Sequence, residues 1–568
     1  MNLRDYNIKH LLFMMLLTIP SLSAGTPGEE PPSLLSLQKN IGIFKTTYEN
    51  EKVQIAVTNL NTAINSWFLV IVRSLNPEVK EPIFEVHLEN PFKDQYVVFE
   101  RSFEEGIILR RHANEYKCTL WKNGDISELK KASKVTRPFA SICGDRLYVR
   151  NKIRGYHSTK EWVTQFLRDR VWGGDAITTL VKNTIFKDMF LIESKKGGSG
   201  ATKEPSENAP FDGLIEESYK NQIVTTEEFG LTLEPNEQNM NMGAWYPVKD
   251  EEGMFASAII AKAVEESILS SHKDRVLPLE QVESEAVSYL VAFDLSRFEV
   301  GYTLGTEHPR LSWSKRVPEE VIKEGWSGPD GFDTIEPLIR TGLLNPAHTK
   351  RLAAIFTAGF KRHHGAFRFG ELSRINGASH YGFLEKGVLL SKMHPGLGTL
   401  IVSNSGKLEL RTWQETDNIE GIRYARQNGV PLIERSQDGS GIPSKYANSY
   451  ELGNWSGSAK AERRTLRSGI CVTSANGRQF LVYGYFSSVT VSSMVRIFQA
   501  YQCDYAIHLD MNALEHTYLA RYLSEKDSNI LTPEQIVKGM EVFDTRRKGV
   551  PRFVGYPDNR DFFYLLRK

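Results

Sequence analysis

The run Tyr505-Ala-Ile-His508-Leu-Asp510-Met-Asn512-Ala-Leu-Glu515-His516 brings an aspartate to the end of an apolar, strand-like segment. An amide, a glutamate and a histidine follow within six residues. Open α/β sheets present ligand-handling groups at the carboxyl ends of their strands. Asp, Asn, Glu and His together have the composition of an acid/base or metal site. Asp510 reads as a general acid or base or as a metal ligand; the competing account is a strand-end carboxylate that caps the next helix. If residues 511–522 are helical, Asn512 and His516 share one face with Glu515 beside them, while Met511, Leu514, Tyr518 and Tyr522 line the buried side. Ordinary helix-surface polarity competes with a substrate-facing role for Asn512 and His516. His508 is open to reading as a satisfied buried histidine.

The elements that would position these groups are legible upstream. Gly469-Ile-Cys-Val-Thr-Ser and Gln479-Phe-Leu-Val-Tyr-Gly-Tyr-Phe flank Asn476-Gly477, a dipeptide favoured in tight hairpin turns. A helix with Val491, Met494, Val495 and Phe498 on one face follows and leads into the strand before Asp510. The order is hairpin, helix, strand. Gly398 to Ser403 and Leu408 to Trp413 form a second hairpin around Asn404-Ser-Gly-Lys407, and Val287 to Phe293 and Leu352 to Thr357 read as further strands. Thr532-Pro533-Glu534-Gln535 carries a helix-capping signature.

The amino-terminal part differs. Short β-branched and aromatic runs between about Lys39 and Val149 are separated by Asn-Pro and Asn-Gly breakers, which predicts a β-sandwich. Trp67 and Trp121 stand at strand spacing, expected in the core, with glycan binding as the alternative. The pattern turns helical from Ser158, and the Gly-, Ser- and Lys-rich stretch from Lys195 reads as a linker. The expected division is a signal peptide over 1–24, a β-rich module with a helical end over 33–194, a linker over 195–213 and a helical connector over 214–284. A main α+β domain over 285–525 and a carboxyl-terminal extension over 526–568 complete it.

The first 24 residues carry Lys9, a short apolar run and small residues at Ser21 to Ala24, as in an export signal. A secreted or periplasmic protein without a transmembrane anchor is the expectation. Export would permit disulfides, with Cys118 and Cys143 grouped in one half and Cys471 and Cys503 in the other; buried thiols are the alternative. With 70 basic and 69 acidic residues, bulk charge gives no reason to expect a nucleic-acid partner. No Gly-x-Ser-x-Gly elbow, P-loop or dinucleotide fingerprint is present, which removes the corresponding hydrolase, NTPase and dehydrogenase readings. No His-Glu-x-x-His, EF-hand or paired-cysteine spacing occurs either, so a divalent cation at Asp510 is compatible with the residues but unassigned.

Three blocks, in order, resemble the phosphodiester glycosidase family. Ile355-Phe-Thr357-Ala-Gly359-Phe stands where the family has an Asn-Gly-Gly-Phe-like loop. Arg467-Ser468-Gly469-Ile470 matches its Arg-Ser/Thr-Ala/Gly step into a hairpin strand. Leu509-Asp510-Met511-Asn512-Ala513-Leu514 stands in place of Leu-Asp-Gly-Gly-Gly-Ser. The resemblance implies an α+β fold with a mixed sheet and hydrolysis of a sugar-1-phosphodiester, on a carbohydrate or sugar-phosphate substrate. It implies catalytic roles for Asp510 and Arg467, the latter holding phosphate, with a structural salt bridge as the alternative for Arg467. Thr357, Gly359, Asn512, Glu515, His516, His363 and His364 would contact substrate. Thr357 replaces the family's asparagine and Met511-Asn512-Ala513 its glycine-rich turn. A degenerate member that binds glycan or a protein partner is therefore the rival reading.

Overall fold

Runs rich in Val, Ile, Tyr and Phe, cut by turn residues, leave little room for helix. In the computed structural model, strands hold 39 % of the chain and helices 14 %. It describes residues 33–568 except 49–52, 77, 79–81, 159–160, 164–188, 195–207, 226, 235–238, 450–462, 525–530 and 548. The expected signal peptide, most of the helical end of the first module and most of the linker lie outside the described residues. All pairings between the named strands are antiparallel. The fold is therefore mainly β, and the expected α+β class with a mixed sheet is corrected. Local hairpin pairing dominates the chain, and the helical segments between hairpins do not set its class.

The amino-terminal strands form a six-stranded sheet in the order Gly42–Tyr48, Val53–Asn59, Trp67–Ser74, Pro82–Glu89, Leu147–Arg150, Phe139–Ile142. A three-stranded sheet, Gln95–Val98, Gly106–Arg111 and Asn114–Thr119, packs with it around a core of its own that includes Ile55, Val70, Leu109 and Trp121. Trp67 and Trp121 are buried, as scaffold residues would be; their indole N–H groups donate to His87 Nδ1 at 2.9 Å and to the Glu104 carbonyl at 2.7 Å. Cys118 pairs with Cys143 and Cys471 with Cys503, with Cα–Cα separations of 5.5 and 5.8 Å.

The Asp510 strand, Tyr505–Met511, lies inside an eight-stranded sheet. Thr465–Ala475 and Arg478–Val489 form its long hairpin, and Val491–Ala500 is the helix that crosses to the Asp510 strand. Thr490 caps that helix by accepting from the Ser493 N–H at 3.1 Å, and Val491, Met494, Val495 and Phe498 are buried as the pattern required. The sequence order hairpin, helix, strand is thus observed.

Three local expectations fail for one reason: sheet pairing outcompetes local helix signals. Residues 214–284 are not chiefly helical, because the fully buried run Met254–Ile260 pairs with Val287–Asp294. Leu531–Gln535, where a capping signature stood, is an edge strand beside Leu519–Ser524; proline is tolerated at an edge, where no ladder N–H is missed. Residues 511–522 form a turn and then that same Leu519–Ser524 strand, not a helix. The apolar carboxyl-terminal Phe562–Arg567 packs into the main body. It runs between Phe298–Thr303 and Leu352–Thr357 as an interior strand of a five-stranded sheet.

Candidate functional site

Asp510 is placed by a register break. Arg467 pairs with Met511 but Gly469 with His508, so the Asp510 strand carries one extra residue there. Such a bulge re-aims a side chain. Its backbone is pinned on both sides of the Cα: the Asp510 N–H donates to the Ala358 carbonyl at 3.2 Å, and the Asp510 carbonyl accepts from Ser468 Oγ at 2.8 Å. The carboxylate accepts from the Met511 N–H at 2.9 Å and from Arg560, and His516 Nδ1 stands 3.9 Å away. Arg560 favours the ionised form, but burial dominates and Asp561 adds repulsion, so the carboxyl is pushed up to about 6. Near neutral pH such a group can take or give a proton.

Around Asp510 lies a lattice of buried charges. Arg560 Nη2 bonds His516 Nε2 at 2.8 Å and Glu161 Oε1 at 3.2 Å. Lys361, whose side chain is fully buried, donates to Glu161 Oε1 at 2.7 Å and to Glu307 Oε2 at 2.9 Å. Burial works to raise the Glu161 carboxyl, but Arg560 and Lys361 outweigh it and hold it well below the usual range. Glu307 is held at about 2 against burial by His157 and Lys361. Burial and the Arg560 charge push His516 well below its ordinary value, so the ring is neutral. Its Nδ1–H then donates to the Met511 carbonyl at 2.8 Å while Nε2 accepts from Arg560.

The sequence-derived residues divide. Thr357 joins the Asp510 neighbourhood: its hydroxyl donates to the His516 carbonyl at 2.6 Å. Gly359 lies where a Cβ would come within 2.4 Å of Asn428 Oδ1 and 2.6 Å of Arg426 Nη2, so only glycine fits. Asn512 has φ +75°, the left-handed region that asparagine tolerates better than most residues, and its side-chain oxygen accepts from Thr465 Oγ1 at 2.9 Å. Arg467 is turned to other partners. Nε donates to the Val489 carbonyl at 2.9 Å, Nη2 to the Arg463 carbonyl at 3.0 Å, and Nη1 lies 3.1 Å from His508 Nε2; burial lowers it to about 9. Glu515 accepts from Arg546 at 2.7 Å. His363 faces Ser312 Oγ at 3.0 Å, and the His364 carbonyl accepts from Arg316 at 2.7 Å.

Sequence reasoning missed Glu161, Glu307, Lys361 and Arg560. One signal was present: Tyr556-Pro-Asp558-Asn559-Arg560-Asp561 is a dense polar run directly before an apolar strand. Among the described residues no group of three His, Cys, Asp or Glu side chains is arranged to hold a metal. The donor set agrees, since Asp510 is faced by two cations, Arg560 and Lys361. A divalent ion does not fit beside them. Among the described residues no helix is long and apolar enough to cross a membrane.

No family model and no curated protein matches the chain. Several solved structures are similar to part of it, two of them as follows. One is the catalytic domain of zebrafish N-acetylglucosamine-1-phosphodiester alpha-N-acetylglucosaminidase auto-inhibited by its pro-peptide, at 10 % identity over 56 % of this chain and 85 % of that one, TM-score 0.29. The other is a putative exported protein of Burkholderia pseudomallei, at 10 % identity over 49 % and 74 %, TM-score 0.20. The first is a weak likeness to a phosphodiester glycosidase domain. Neither decides a family at these scores, and the functional reading rests on this chain's own residues.

Proposed function

We propose that this chain is an exported hydrolase of sugar-1-phosphodiesters in envelope or extracellular glycan, with Asp510 handling the proton and Arg560 and Lys361 anchoring the phosphate. The observation that carries the reading is the meeting of three distant segments at one residue: Ala358 and Ser468 hold Asp510 by its N–H and carbonyl. These segments are the three blocks that resemble the phosphodiester glycosidases. The raised Asp510 carboxyl and the two buried cations beside it supply the chemistry that linkage needs. The two disulfides support export, since such bonds persist in oxidising compartments.

In the reaction, water adds to the anomeric carbon, the bond from that carbon to the bridging phosphate oxygen breaks, and its electron pair leaves with the phosphomonoester. The proton from water passes to the Asp510 carboxylate, largely ionised at neutral pH yet basic enough to accept it. The departing phosphate needs no proton, because its second ionisation lies near neutrality, and Arg560 and Lys361 offset its charge. Neutral His516 keeps Arg560 oriented, and Thr357 fixes the His516 backbone. Arg467 is a positioning residue that braces the Asp510 strand on either side of Asp510, through His508 and Met511.

The test is release of free sugar and phosphomonoester from a panel of sugar-1-phosphodiesters, varied in sugar and anomer, at millimolar concentration. Wild-type protein should release both products, and Asp510→Asn should lose about 100-fold or more in rate while remaining folded. Binding of glycan without release from any panel member would replace the hydrolase with a binding module.

A further inference from the structure

Glu161 has no part in the reaction above, yet its carboxylate is the point on which the site's donors converge. Lys361 Nζ and Arg560 Nη2 reach Oε1 at 2.7 and 3.2 Å, and Asn559 Nδ2 donates to Oε2 at 3.0 Å. Two cations and an amide focused on one oxyanion are the donor set that phosphate recognition uses. Glu161 comes from a different part of the chain. Ser158 Oγ accepts from the Glu161 N–H at 3.2 Å and the Ser158 carbonyl from the Trp162 N–H at 2.9 Å, so Ser158 caps a short helical turn. That turn sends Glu161 inward, while Trp162 and Val163 are 57 % and 41 % exposed. In a capping box a glutamate at this place turns back to the cap; this one is taken up by Lys361, Arg560 and Asn559.

We infer that Lys361, Arg560 and Asn559 form a phosphate-binding cradle which Glu161 occupies from within the chain, so that an incoming phosphate ester must displace an internal carboxylate. The identity of the ester rests on the hydrolase reading; the cradle itself does not. With Glu161 out, Lys361 keeps Glu307 at 2.9 Å and Arg560 keeps Asp510 and His516, so the cations stay positioned while one negative charge leaves. The apparent affinity for phosphate is the intrinsic affinity reduced by the fraction of time the carboxylate is withdrawn.

The experiment titrates inorganic phosphate, against chloride at matched ionic strength, into wild-type protein and into the Glu161→Gln and Glu161→Ala variants, by calorimetry and thermal shift. The variants should bind phosphate at least tenfold more tightly than wild type, and Lys361→Ala added to Glu161→Gln should remove the gain. Equal affinity in wild type and the folded variants overturns the inference. Should the variants not fold, hydrogen exchange of the wild type decides it. Saturating phosphate should speed exchange at the Trp162 amide, and unchanged exchange refutes displacement. With the substrate panel the two readings separate. Tighter phosphate binding by Glu161→Gln without hydrolysis by either protein removes the hydrolase and leaves the cradle. Hydrolysis by both proteins with equal KM and equal phosphate affinity removes the cradle's internal occupant and leaves the hydrolase.

Discussion

Asp510→Asn carries a stability signature that tests the central claim without any substrate. Asp510 is 6 % exposed, and burial raises its carboxyl from the ordinary 3.8 to about 6 in spite of Arg560. Between those two values the folded protein holds a proton that the unfolded chain has released. The group's contribution to stability is therefore full below about pH 4 and is lost as pH rises through 6. At 1.36 kcal/mol for each tenfold in proton affinity, the loss by pH 7 is about 3 kcal/mol. Asparagine does not titrate and escapes it. The unfolding free energy of the variant minus that of wild type should thus rise by about 3 kcal/mol between pH 4 and pH 7. The charge that Arg560 loses adds an offset, and the other facing groups, Lys361, Glu161, Asp561 and His516, are common to both proteins. Urea denaturation across that range reads the change as a relative midpoint shift of roughly 1 M for a slope of about 3 kcal/mol per molar. A flat difference would refute the raised carboxyl. A falling one would mean that the Arg560 ion pair outweighs burial, leaving a carboxylate too weakly basic to take a proton from water near neutrality.

Two further outcomes follow from packing. Arg150, fully buried, spans Glu385 at 3.0 Å and Glu89 at 3.4 Å with its guanidinium 3.7 Å from the Trp67 ring. Arg150→Met should cost about 3–5 kcal/mol, because Glu385 and Glu89 are left short of a buried cation, and a loss under about 1 kcal/mol would show that the lattice between the first sheet and the main body is not cohesive. Gly359→Ala should cost about 1–3 kcal/mol in the same urea assay, since Asn428 and Arg426 are buried and bonded and cannot make way for a Cβ; an unchanged midpoint would refute that close approach.

What the sequence disclosed was local. The Asn476-Gly477 hairpin, the helix after it and the Asp510 strand are each specified by turn chemistry and periodicity within a few dozen residues, and all three were legible. The strands at Met254–Ile260 and Leu531–Gln535 were not, because their state is decided by partners elsewhere in the chain. Thr532-Pro533-Glu534-Gln535 is a sound helix start taken alone, yet it is overruled by Leu519–Ser524 beside it. A run such as Met254–Ile260, apolar but for Ser257 and buried throughout, has no period to read at all. The class error has the same origin, since hairpins announce themselves at their turns while sheet membership does not.

The site shows the same division at the level of charge. Asp510, Thr357 and His516 sit on segments with recognisable local patterns and could be named in advance. Glu161, Lys361 and Arg560 come from three parts of the chain, each reading as an ordinary charged residue in a helical turn or loop. Their significance is their burial, which sequence does not display. Two cations and three carboxylates drawn out of water are costly unless each is paired, and the lattice pairs each of them: Lys361 with Glu161 and Glu307, Arg560 with Glu161 and Asp510. A hydrophobic set of similar size would stabilise the fold at least as well. On the reading proposed above, the charged set supplies instead a centre where an anion exchanges with a carboxylate already present, beside a second carboxyl poised to change its proton.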